Sequence, residues 1–175
     1  MQSAKIPKPA PDEYPPYYGT YIDKVGTTDD LAGALEVGME KFLSFIKTIP
    51  ADKLDYRYQE RKWTIREIIV HLMDAERIFV YGALRFSRSD RTALSGFDEN
   101  EYVPNSGASE RSLDSLIAEY ISVRQSSIAF FKNLSPEMAK RCGIANGKEI
   151  SVRALGYIIP GHEIHHLGVI RERYL

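Results

Sequence analysis

The sequence predicts an all-α protein, a four-helix bundle preceded by an extended arm. Three observations predict it. Four long stretches carry apolar residues at three-to-four spacing, no strong alternating strand pattern interrupts them, and 43% hydrophobic against 27% charged residues is the composition of a chain with a core. At 175 residues there is room for one ordinary domain, divided into an arm over 1–26 and a bundle over 27–175.

The arm comes first because Pro7, Pro9, Pro11, Pro15 and Pro16 interleave with Tyr14, Tyr17, Tyr18 and Tyr21. Proline fixes extended backbone, so no helix is expected there, and four tyrosines suit an arm laid against the domain better than a solvated tail. After the acidic Asp29-Asp30, Leu31, Leu35, Phe42, Phe45, Ile46 and Ile49 mark a first helix that Pro50 closes. The second start is the clearest: Thr64-Ile65-Arg66-Glu67 is a capping box, with Trp63 and Ile68 placed as a hydrophobic staple. Its stripe, Ile65, Ile68, Ile69, Leu72, Ala75, Ile78 and Phe79, runs to about Phe86.

Residues 87–109 form a polar connection longer than a bundle turn needs, and such loops are usually functional or mobile. A third helix is expected from Ser109 to about Leu134, on Leu113, Leu116, Ile117, Tyr120, Ile128 and Phe131. Ser135-Pro136 starts a short helix, Asn146-Gly147 makes a turn, and a last helix runs from near Ser151 to the C-terminus.

Charge and cysteine content narrow the chemistry. The net charge of -1 provides no basic excess for phosphates or anionic lipid, which disfavours nucleic acid and membrane as partners. No apolar run reaches the roughly 18 residues of a membrane span, and MQSAKIPKPAPDEYPPYYG lacks the apolar stretch of a signal peptide, so a cytoplasmic protein is expected. The single cysteine, Cys142, excludes an internal disulfide and a thiolate metal cluster; it is expected as a free structural thiol.

The four histidines are His71, His162, His165 and His166. In the last helix the stripe Leu155, Ile158, Ile159 continues through His162 and His166 and resumes at Val169 and Ile170, so both imidazoles face inward, one turn apart. His71 borders the apolar stripe of the second helix. A single inward histidine is ordinarily a core residue with one hydrogen bond. Three converging imidazoles without partners cost about 1 to 3 kcal/mol each, whereas one divalent cation satisfies them together. Three neutral nitrogens suit Zn, Ni, Cu or Fe better than Mg or Ca and leave a coordination position open.

His162-Glu163-Ile164-His165-His166 also matches H-E-x-x-H, the zinc peptidase pattern with Glu as general base. That pattern needs a third ligand, normally downstream. Only nine residues follow His166, none a histidine, and no sheet edge is expected to receive a peptide.

Lys62-Trp63-Thr64-Ile65-Arg66-Glu67, His71-Leu72-Met73-Asp74-Ala75-Glu76-Arg77 and Gly161-His162-Glu163-Ile164-His165-His166 through Ile170 together resemble the DinB-like superfamily of metal-binding four-helix bundles. The resemblance covers residues 27–175. It implies a divalent metal, zinc or nickel foremost, held by His71, His162 and His166. It also implies a small-molecule substrate, with hydrolysis or transfer to a low-molecular-weight thiol as the reaction, and a homodimer. Pro160 departs from the family pattern; a proline there removes a hydrogen bond to Gly156 and predicts a kink before His162.

The remaining candidates surround that triad. Glu163, about 100 degrees from His162 around the helix, is a candidate general base or a surface charge. Asp74 and Glu67 share His71's face and are candidates to accept its second ring N–H. Arg124 follows Tyr120 by one turn on the apolar side of the third helix, and the two are candidate substrate contacts, with pairing of Arg124 to a carboxylate as the alternative. His165 is expected beside the site rather than in it. Two functions follow: a metal-dependent enzyme with an open coordination position, or a non-catalytic bundle with a structural metal or a small-ligand pocket.

Overall fold

Each long helix begins where a side chain closes its first turn. In the computed structural model, which describes residues 5–175, Asp30 accepts from Gly33 N at 2.9 Å to start α1, Leu31–Ile46. Thr64 and Glu67 form the expected reciprocal capping box at the start of α2, Ile65–Ser87. Ser112 caps α3, Leu113–Lys132, and Ser151 caps α4, Val152–Arg173. The third helix therefore starts later than Ser109, because a 3-10 turn over Ala108–Glu110 precedes the cap at Ser112. The short helix after Ser135 is present as Pro136–Ala139.

Two expectations are corrected. A hairpin of β1, Cys142–Ala145, and β2, Lys148–Ser151, pairs antiparallel around Asn146-Gly147. Both turn residues take positive φ, 49° and 71°, the geometry of a tight hairpin turn whose twist matches the strands. The strands are four residues each, too short for an alternating pattern to stand out. The arm is also not extended throughout: Pro11–Glu13 and Pro16–Tyr18 are 3-10 turns, followed by a short helix Gly19–Ile22 and another turn Asp23–Val25. Proline stands first in both leading turns, where its missing N–H costs nothing and its fixed φ already suits a helix.

Side-chain pairings set the order of the helices. α4 packs on α2 and α1, and α3 packs on α2 and α1. Arg66 reaches Arg111 O at the starts of α2 and α3, and Glu76 meets Arg124 further along both, so these neighbours run parallel. Leu31 lies by Gly156 and Arg171 by Phe45, so α1 and α4 are parallel as well. Parallel neighbours cannot be joined by a tight turn. The chain leaving α2 at Ser87 must return along a 23-residue helix, about 35 Å, before α3 can begin. The length of the 87–109 segment is thus a requirement of topology. On its way Leu94 bonds the hairpin, donating to Ile144 O and accepting from Asn146 N, both at 2.9 Å.

The arm seals the outer side of α4. Ile6 and Ile22 are buried in the core, the Tyr157 hydroxyl bonds the carbonyls of Ile6 and Thr28, and Arg153 pairs with Glu13. At Gly161 the backbone of Tyr21 comes so close that a Cβ would run into its carbonyl. Despite Pro160, α4 is helical from Val152 to Arg173 without a break. Gly161→Ala is expected to push the arm outward, lowering stability by about 1 to 3 kcal/mol and exposing 5–26 to protease. Unchanged thermal unfolding and cleavage would show that the arm does not lie against α4.

Candidate metal centre

His71 comes from the second turn of α2 and His162 and His166 from successive turns of α4, so the antiparallel packing of these helices brings the three together. Nε2 of His162 stands 3.0 Å from Nε2 of His71 and 3.0 Å from Nε2 of His166. His71 and His162 are each 6% exposed. Burial lowers all three basicities: His71 to about 4, His166 to about 3 with help from His71 and His165, and His162 well below its ordinary value, its histidine neighbours adding to the effect. All three are therefore neutral at neutral pH and offer lone pairs.

The arrangement fits a transition-metal ion. A ring nitrogen has one position to offer, either a hydrogen or a lone pair, yet Nε2 of His162 faces two other nitrogens at bonding distance. Hydrogen bonding satisfies one of those contacts at most, whereas a cation accepting three lone pairs satisfies the set. Nitrogens bound about 2.0 to 2.1 Å from a common tetrahedral ion lie about 3.3 to 3.4 Å apart, close to the 3.0 Å of the two contacts at His162, and all three ligand atoms lie within 4.8 Å of one another. Among the described residues, no other His, Cys, Asp or Glu joins this group.

Beside the histidines lies a cavity of about 200 Å³. Trp63 packs on His71 with centroids 4.7 Å apart, and Tyr21 packs edge-on against His162 at 5.1 Å and His165 at 5.4 Å. Phe79, Phe97 and Glu99 complete much of the wall. The staple residue Trp63 was legible in the sequence, but its contact with two ligand candidates was not. Glu99 gave no local signal; the crossover alone brings it here. His165 lines the cavity next to His166 without joining the triad.

The other candidates are placed away from the triad, and for Arg124 the structure has the expected alternative, pairing with carboxylates. Glu163 is 1% exposed and turns from the histidines into a cluster with Tyr120 and Arg124. Arg124 donates from Nε and both terminal nitrogens to Glu76 and Glu163, with Leu35 O taking a further bond. All five guanidinium hydrogens are thereby engaged, and neither Arg124 nor Tyr120 lines the histidine cavity. The physical reason is burial: a guanidinium 1% exposed needs carboxylates around it. Burial pushes the Glu163 carboxyl up while Arg124 pulls it down. Glu67 is spent on the capping box and on Arg57, at 2.8 Å to each terminal nitrogen. Asp74 pairs with Arg77 at 3.6 Å, and burial raises its carboxyl; neither carboxylate bonds the His71 imidazole among the described residues. Cys142 is an exposed free thiol, pushed up chiefly by partial burial.

Arg124→Met should therefore act on stability. Leaving two buried carboxylates without their cation is expected to cost about 3 to 5 kcal/mol, read as a lower denaturant midpoint. A substrate-binding role alone would leave that midpoint where it is.

Comparison with known proteins agrees with this architecture. No curated protein matches. One solved structure, YfiT from Bacillus subtilis, superposes with a TM-score of 0.72 over 98% of this chain and 95% of that one, at 17% identity. It is described as "a probable metal-dependent hydrolase with an unusual four-helix bundle topology"; at this identity the likeness shows the fold. The DinB superfamily profile matches residues 34–170, a span that runs from the first turn of α1 to the last turn of α4. The chain belongs to the DinB superfamily.

Proposed function

We propose that this protein is a metal-dependent hydrolase of a small molecule, with zinc or nickel held by His71, His162 and His166. The observation that carries the reading is the convergence of three neutral Nε2 atoms beside an open cavity, with no fourth protein ligand among the described residues. A structural site would be closed by that fourth ligand; a catalytic one keeps a position for water or substrate. The neighbour YfiT, described as "a probable metal-dependent hydrolase", supports hydrolysis as the reaction class.

Bound there, the ion supplies Lewis acidity, which polarises a substrate oxygen and brings the pKa of water toward about 7. The chain does the rest. The two α4 imidazoles are fixed one turn apart by the helix, and His71 is held by the packing of Trp63 on its ring. Trp63, Phe79 and Tyr21 give the cavity apolar walls beside the histidines, and a lower local dielectric strengthens the electrostatic interactions inside it. A site of about 200 Å³ admits only a small reacting group.

His166→Ala should lose one equivalent of metal per chain, measured by elemental analysis of untagged protein prepared without chelator, while the helical circular dichroism persists. Unchanged metal content would show the ligand assignment to be wrong. Unfolding of the variant would make the metal structural.

A further inference from the structure

We propose that the cavity beside the histidines takes an organic cation, a protonated amine or quaternary ammonium group of the substrate, in the part walled by the arm and the crossover. The proposal rests on the hydrolase reading for the reaction and on the cavity lining for the ligand. Tyr17, Tyr18 and Phe97 line this part, and their rings pair with other aromatics rather than with a ligand histidine. The π-faces of such rings attract cations, most strongly where water is displaced.

The charges lining the cavity agree. Glu99 is its one carboxylate, and no lysine or arginine lines it among the described residues. Burial raises the Tyr18 hydroxyl, with Tyr17 and the charge of Glu99 adding to it, so the field of that carboxylate reaches the tyrosines. The nearby cations, Arg61 and Lys62, line a separate cavity of about 280 Å³ that shares only Trp63, His165 and His166 with this one. An anionic group would be drawn there. A cationic group would settle against Glu99 and the rings of Tyr17, Tyr18 and Phe97, on the side of the cavity away from the three imidazoles' lone pairs.

The test uses two probes of equal shape, choline and its uncharged isostere with carbon in place of nitrogen. Trp63 is the only tryptophan and lines the cavity, so its fluorescence reports binding without any turnover. Choline is expected to bind about tenfold more tightly than the isostere, and Glu99→Gln to remove most of that ratio while leaving isostere binding unchanged. Equal affinities, tighter binding of the isostere, or no saturable signal with choline at tens of millimolar would overturn the proposal. Metal content measured on the same samples separates the two readings: one equivalent of metal with a ratio near one defeats the cation alone, and absent metal defeats the hydrolase alone.

Discussion

The structure depends on the enclosure of the first half of α4. From Ala154 to Glu163 all its residues are buried, because α1 and α2 flank it and the arm closes the face they leave. A helix in that position has no solvent face to spend on polar groups, so each polar side chain it carries must be satisfied inside. The close approach at Gly161 fixes the arm, and with it the Tyr21 ring against His162. Two glycines serve this enclosure: a Cβ at 156 would meet Leu31 and Phe131, as one at 161 would meet Tyr21.

Enclosure sorts the polar residues of α4 by register. His162 and Glu163 are neighbours in sequence but point about 100 degrees apart, one toward α2 and the other toward α1 and α3. The histidine joins a set of ring nitrogens that hydrogen bonding cannot satisfy together, and the glutamate joins a guanidinium that needs carboxylates. The H-E-x-x-H pattern therefore carries a different meaning here from the one it has in peptidases. Its histidines converge as the pattern demands, while its glutamate is turned into the core and balances Arg124 beside Glu76.

What the sequence revealed was local. The capping box at Thr64, the turn at Asn146-Gly147 and the one-turn spacing of His162 and His166 are consequences of neighbouring residues, and each could be read from a few positions. His71 was legible as an inward histidine of α2, because its stripe is strongly periodic. What stayed hidden depends on pairing across the fold. The partners of Arg124 lie 48 and 39 residues away on two other helices, and the parallel course of α2 and α3, which explains the long crossover, leaves no mark within either helix. Glu99 reaches the cavity only because that crossover returns past it.

Size and chemistry select different concavities. A groove of about 810 Å³ lies between α1 and α4, edged by Lys24, Lys41 and Arg171. Its one buried polar group, Glu163, is already bonded to Tyr120 and Arg124, so nothing there is left wanting a ligand. The smaller cavity holds the unresolved nitrogen contacts, and an unresolved buried polar contact is what a bound group relieves. Its walls divide by origin. The helices supply the three histidines, whereas the arm and the crossover supply Tyr17, Tyr18, Phe97 and Glu99. Connecting segments change in length and sequence more freely than packed helices, so in this architecture the selectivity of the site can change while its ligand set stays fixed.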